Sequence, residues 1–251
     1  MNFLIIGAGG RIGFSLVTHL LKEGHTLALG DIDLSFIHNN TKFLETYESQ
    51  IFLKEVDITS DKSYKSWIVD ACSALGSVDG AVNCSYPKGK NYGATLSEVD
   101  LSDFNNNISI HLGAYFNFLQ ITSAFMQDKN FNGSILCTSS IYGDIAPRFN
   151  VYQGTNMTMP VEYAAIKSAI NQLIKYFAAA YSGAHIRFNA VSPGGILADQ
   201  PDSFIAAYKD ECLSKGLLDS EDISPLISFL LSDGAQFING QVITIDDGFS
   251  L

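Results

Sequence analysis

Seven short apolar runs rich in β-forming residues are spaced along the chain: FLII (3 to 6), TLALG (26 to 30), IFLKEV (51 to 56), DGAVN (79 to 83), SILCTS (134 to 139), IRFNAV (186 to 191) and QVITI (241 to 245). Each is nearly continuous in apolar character, the pattern of strands covered on both faces, and stretches of helical length separate them. Right-handed crossovers between parallel strands follow, which predicts an α/β fold with about seven strands in a doubly wound parallel sheet and helices on both faces.

Two helices read as long. One spans about Ser102 to Met126, with Ile108, Leu112, Phe116 and Leu119 at helical spacing; the other spans about Pro160 to Tyr181, with Ala164, Ile166, Ile170, Leu173, Ile174 and Phe177 on its stripe. Proline fits a first helical turn, so Pro160 places VEYAAIK (161 to 167) in the opening turns. No repeat, low-complexity tract or Pro/Gly-rich linker interrupts the pattern, so residues 1–251 read as a single domain.

Composition narrows the partners. The chain is 47% hydrophobic, enough for a sizeable core, and its formal net charge of −11 argues against nucleic acid or an anionic membrane as principal partner. Only three basic residues are arginines: Arg11, Arg148 and Arg187. The four cysteines lie far apart without metal-ligand spacing, so no metal site is expected. MNFLIIGAGG has no basic leader and too short an apolar run for a signal, and no other run reaches spanning length, so a soluble cytoplasmic protein is expected.

The first strand runs into GAGGRIG (Gly7, Ala8, Gly9, Gly10, Arg11, Ile12, Gly13) and then an amphipathic helix. A strand, a glycine turn and a helix N-terminus make a phosphate cradle, because absent side chains permit close approach and free amides attract the anion. No GK[ST] follows, and Ile12 stands where a strict GxGxxG needs glycine. Asp31, ending the second strand in GDID, suits the adenosine ribose hydroxyls of NAD and repels the extra phosphate of NADP, while Asp33 suits a helix cap. Arg11 pulls towards NADP, since a guanidinium beside the cradle can pair with that phosphate.

Two YxxxK pairs occur, YPKGK (86 to 90) and YAAIK (163 to 167). Pro87 and Gly89 deny the first a helix, whereas Tyr163 and Lys167 share a helical face. An ammonium at ~4 Å stabilises a phenolate by up to ~4 kcal/mol at an effective dielectric of ~20, or ~3 pKa units, enough to make a phenol an acid-base catalyst. CTSSIYG adds a serine at the carboxyl edge of the fifth strand, where open α/β sheets bind ligands.

In order, GAGGRIG, DIT (57 to 59), VNCS (82 to 85), SSIYG (139 to 143), YAAIK and NAVSPGG (189 to 195) resemble the motifs of the short-chain dehydrogenase/reductase family over essentially the whole chain. That resemblance implies a Rossmann-type fold, a nicotinamide cofactor and a homodimer or homotetramer built on the two long helices and the last strand. It implies Tyr163 as proton donor or acceptor, Lys167 as the group that lowers its pKa and binds the nicotinamide ribose, and Ser140 as orienter of the substrate oxygen. It assigns cofactor contacts to the glycine turn, Asp57, Ile58, Asn83, Pro193, Gly194 and Ile196. The chain departs from the pattern at Ile6, Arg11 and NCSY, at Ala198 where a threonine is usual, and at His111, which replaces the asparagine of a proton relay. His111 can hold a water or shuttle a proton, or can be a core histidine bonded to a carbonyl.

Between Ser140 and Tyr163 the family pattern is lengthened by DIAPRFNVYQGTNMTMP (144 to 160). Loops that leave one catalytic residue and return at another tend to wall the substrate pocket. Arg148, Tyr152 and Asn156 here, with Lys88 in YPKGKNYG, are candidate contacts for hydroxyls and an anion. The combination is similar to short-chain dehydrogenases of flagellin modification and legionaminic-type nonulosonic acid biosynthesis, which implies a sugar or sialic-acid-like substrate. A 3-oxoacyl carrier-protein reductase and a catalytically idle dinucleotide-binding module are the alternatives.

Overall fold

The computed structural model describes residues 1–251 throughout. All seven runs are strands of one parallel sheet: β1 (Asn2–Ile6), β2 (Thr26–Asp31), β3 (Ile51–Glu55), β4 (Gly80–Asn83), β5 (Gly133–Thr138), β6 (Ile186–Pro193) and β7 (Val242–Ile245), in the order β3-β2-β1-β4-β5-β6-β7. The strand order reverses between β1 and β4, whose last residues Ile6 and Asn83 pair. That reversal opens a crevice at the carboxyl edge, the place where such sheets hold ligands.

The connecting helices are α1 (Arg11–Lys22), α2 (Ser35–Asn39), α3 (Thr41–Tyr47), α4 (Asp61–Leu75), α5 (Leu101–Asn107), α6 (Gly113–Asp128), α7 (Val161–Ala180), α8 (Asp202–Asp210) and α9 (Ser220–Leu231). Alternation along β1 shows how both faces are filled: Leu4 and Ile6 pack with α4, α6 and α7, whereas Phe3 and Ile5 pack with α1 and α9. None of the helices is long and apolar enough to cross a membrane.

Two helical expectations need correction. The stretch expected as one regular helix over about Ser102 to Met126 runs from Leu101 to Asp128, but its turn Ile108–Leu112 widens to π geometry around His111. Three asparagines, Asn105 to Asn107, precede that turn; their side chains compete for backbone hydrogen bonds and weaken a regular ladder. Pro160 is extended (φ −62°, ψ 137°) and flanks α7 at the capping position instead of lying in its first turn.

The lengthened segment packs into a small separate core shared with α8 and the C-terminal residues. Ile141, Tyr142 and Val151 pack with Phe204 and Tyr208 of α8, Leu217 and Phe249, and the Tyr208 and Phe249 rings stack with centroids 4.2 Å apart. Arg148 lies over Phe249 at 5.0 Å, ion-pairs with Glu211 and donates to the carbonyl of Leu251 at 2.7 Å. The C-terminal residues thus clamp the segment against α8. Phe249→Ala is expected to cost about 3–5 kcal/mol in urea unfolding, the range for removing a fully buried ring.

Candidate active site

The glycine turn follows β1 directly. Gly7 has φ +76°, and a Cβ on it would lie 2.6 Å from the amide nitrogen of Ser85; one on Gly13 would lie 2.0 Å from the Gly7 carbonyl oxygen. Only glycine permits this contact between the turn, α1 and the chain after β4. The cap at Gly10 uses no side chain and the first turn of α1 has no acidic residue, so its leading amides at Arg11 and Ile12 are free to receive an anion.

A cavity of about 360 Å³ runs from Gly7, Gly9 and Gly10 past Asp31 and Asp57 to Tyr86. Asp31 is held by the Gly9 amide at 2.9 Å, and Asp57 accepts from the Thr59 amide at 2.9 Å. Asp33 accepts from the Ser35 amide at 2.8 Å, but the capping position of α2 belongs to Leu34. Ile58 and Asn83 are buried. Asn83 accepts from the Ser85 amide at 2.9 Å while its Nδ2 has no partner. A narrow glycine cradle, two carboxylates and an orphaned buried amide suit an adenosine dinucleotide. Arg11 does not border this cavity: its guanidinium pairs with exposed Asp199 at 3.0 Å.

Ser140, Tyr163 and Lys167 converge where β5 ends and α7 begins. Lys167 is buried, donates to the Thr138 carbonyl at 3.0 Å and lies 5.6 Å from the centre of the Tyr163 ring. Burial pulls its pKa down to about 8. Buried Ser140 accepts from the Tyr142 amide at 3.2 Å and stands close enough to the Tyr163 phenol to lower its pKa, but desolvation is the larger cause and the net shift is upward. The expected lowering by Lys167 is therefore not the dominant electrostatic effect in the protein alone, because both groups are desolvated together.

His111 is 1% exposed, and neither ring nitrogen has a hydrogen-bond partner. It is not bonded to a carbonyl. Burial first, then the Lys167 charge, pushes its pKa down to about 2, so the ring is neutral. It sits edge-on to Tyr86 at 5.0 Å, with Tyr86 in turn 5.8 Å from Tyr163.

Ser140 and Tyr163 border a second cavity of about 550 Å³, which Tyr86 shares with the first. Gly194 and Ile196 form part of its floor, just after Pro193 ends β6. A Cβ on Gly194 would lie 2.9 Å from that of Asp246, and Gln200 fastens this turn by donating to the Ile196 carbonyl at 2.8 Å and accepting from Ala198. Of the four candidate substrate residues only Tyr152 lines the cavity. Arg148 is committed to Glu211 and Leu251, whereas Lys88 and Asn156 are exposed elsewhere. Residues not named from sequence as substrate contacts take their place: Tyr86, Tyr142, Met157, Met159 and Tyr208. YPKGK is irregular chain, so its tyrosine and lysine share no helical face; only the crevice brings Tyr86 beside Tyr163 of α7.

A family model described as enoyl-(acyl carrier protein) reductase matches residues 7–250. The chain is 36% identical to post-translational flagellin modification protein A of Campylobacter coli, covering 98% of this chain and 97% of that protein. It is 28% identical to a 3-oxoacyl-[acyl-carrier-protein] reductase of Thermotoga maritima, over 98% and 96% of the two chains. Among solved structures, a short-chain dehydrogenase of Leptospira borgpetersenii with bound NAD+ superposes with a TM-score of 0.86 at 26% identity, covering 100% of this chain and 92% of that one. Glycine cradle, crevice, and serine, tyrosine and lysine thus stand in a chain matched from end to end, which belongs to the short-chain dehydrogenase/reductase family of nicotinamide-dependent oxidoreductases acting on CH–OH groups.

Proposed function

We propose that this protein is an NAD-dependent enzyme interconverting a hydroxyl and a ketone on a sugar-type substrate. The observation that carries this reading is the meeting of Ser140 and Tyr163 in one cavity that shares Tyr86 with the dinucleotide groove, with the Lys167 ammonium behind them. A nicotinamide dinucleotide held by the glycine turn and Asp31 would supply or accept the hydride at the substrate carbon. In reduction Tyr163 gives its phenolic proton to the carbonyl oxygen; in oxidation its phenolate takes a proton from the hydroxyl. Ser140 donates a hydrogen bond to the oxygen on which negative charge develops. Lys167 stabilises the phenolate, and the cofactor ribose is within the role the family resemblance assigns to it. Neutral His111, with two orphaned nitrogens and its ring against Tyr86, is suited to holding a water or relaying a proton through one.

Asp31 supports NAD over NADP: a carboxylate fixed at the adenosine end accepts from ribose hydroxyls and repels a phosphate there, while Arg11 is paired with Asp199. A sugar substrate is supported by the phenol-rich pocket and by the relative named for flagellin modification. The 3-oxoacyl reductase relative favours a second reading, against which stands a pocket walled by hydroxyl-bearing rings instead of an aliphatic channel. Exposed Phe116 of α6 and Tyr176 of α7 support a homo-oligomer formed on those helices.

Turnover of NADH or NADPH against keto sugars and oxoacyl thioesters, followed by nicotinamide absorbance, tests the reading; turnover confined to thioesters would establish the alternative. Tyr163→Phe is expected to lose at least about 100-fold in kcat while still binding cofactor, as read by nicotinamide fluorescence. With the phenol's pKa raised and that of Lys167 pulled down to about 8, reduction should be flat from about pH 5 to 7 and change only as Lys167 loses its proton, while oxidation should climb with pH as phenolate forms. NADH should exceed NADPH in kcat/KM by at least about tenfold, and Asp31→Ser should narrow that ratio.

A further inference from the structure

The cavity beside Ser140 and Tyr163 is built entirely from uncharged groups. No Asp, Glu, Lys, Arg or His borders it, although the chain around it is rich in carboxylates. Four of the tyrosines that line it form two hydroxyl-linked pairs. Tyr86 and Tyr92 bond through their hydroxyls on the wall that follows β4, and Tyr152 donates to Tyr142 at 3.3 Å on the wall made by the lengthened segment. Met157 and Met159 fill the space between polar groups with apolar surface. Tyr208 is already engaged, its hydroxyl accepting from the Gly195 amide at 2.6 Å.

Each linked pair has hydrogen-bonding capacity left over, because a phenol can donate one bond and accept others. Their rings offer flat faces to the C–H groups of a cyclic polyol. Burial raises the pKa values of Tyr86, Tyr92, Tyr142 and Tyr152, so no phenolate charge enters the pocket at neutral pH. A carboxylate or phosphate placed here would lose hydration and find no cation on the cavity wall, since Lys167 lies behind the rings of Tyr86 and Tyr163.

We propose that the substrate's reacting ring is an uncharged polyol recognised by the Tyr86–Tyr92 and Tyr142–Tyr152 pairs, with any acidic group of the substrate held outside the cavity. This rests on the sugar reading above and replaces the expectation that Lys88 and Arg148 receive an anion. The volume, about 550 Å³, falls in the ordinary range of small-ligand sites, about 300–1,000 Å³, and accommodates one ring with its substituents. The lengthened segment therefore determines specificity by supplying Tyr152 and the two methionines, not by supplying charge.

The test compares uncharged keto hexoses with the same rings carrying a carboxylate next to the reacting carbon, in the full-length wild-type enzyme and in Tyr152→Phe, Tyr92→Phe and Lys88→Ala. The uncharged rings should be favoured in kcat/KM by at least about tenfold, the consequence of an unpaired buried charge. Tyr152→Phe and Tyr92→Phe should raise KM for them by about 3- to 10-fold with kcat little changed, as loss of a neutral hydrogen bond requires. Lys88→Ala should leave KM for the carboxylated rings unchanged. Equal or better turnover of the carboxylated rings, a KM untouched by both tyrosine changes, or a raised KM in Lys88→Ala overturns the inference while the sugar reading stands. Turnover of oxoacyl thioesters and of no sugar overturns both.

Discussion

A buried ammonium has few stable positions inside a protein, and the site is arranged around one. Lys167 is 3% exposed, and desolvation of such a charge costs several kcal/mol unless polar groups surround it. Its partner is the carbonyl of Thr138, the last residue of β5, and the faces of Tyr86, Tyr115 and Tyr163 lie 5.8, 5.1 and 5.6 Å from its nitrogen. Tyr115 also donates to Thr138, at 3.1 Å, and the Thr138 hydroxyl donates to the Asn83 carbonyl at 3.0 Å. One charge thereby ties the ends of β4 and β5 to α6 and α7. Tyr163, one turn earlier on α7, inherits its position from that docking.

The residues flanking this charge fasten the loop that bears Ser140. Ser139 donates to Asn171 of α7, Asn171 donates to Asp144 at 2.9 Å, and Ser192 of β6 donates to the other oxygen of Asp144 at 3.0 Å. A loop between two reacting groups can vary in length at small entropic cost, provided its ends are fixed in this way. Here the extra length folds onto α8 and the C-terminal residues, where Arg148 and Asn150 serve as anchors to Glu211. Polarity that looks like ligand chemistry in the linear chain is used to hold the pocket wall.

The fold was legible because strands buried on both faces leave an unmistakable apolar record, and because the glycines at positions 7 and 13 are required by approaches of 2.6 and 2.0 Å that no other residue allows. The pair Tyr163 and Lys167 was legible because helical spacing alone puts them on one face. The π turn at His111 was not, since hydrogen bonding of one residue more per turn leaves the apolar stripe almost intact. The place of Tyr86 and Tyr208 in the cavity wall was not legible for a different reason: one is in irregular chain and the other on a short helix, and neither has a periodic signature.

Sequence alone determined the seven-stranded parallel sheet, the dinucleotide turn and the tyrosine–lysine face, because each leaves a local record: apolar periodicity, a cluster of glycines after a strand, or helical spacing. Tertiary structure decided what the lengthened segment does with its charges and which rings surround the substrate cavity. Those outcomes depend on contacts such as Arg148 with Glu211 and Tyr86 with Tyr163, between residues 63 and 77 positions apart. Local patterning carries no record of which distant partner a polar side chain will meet.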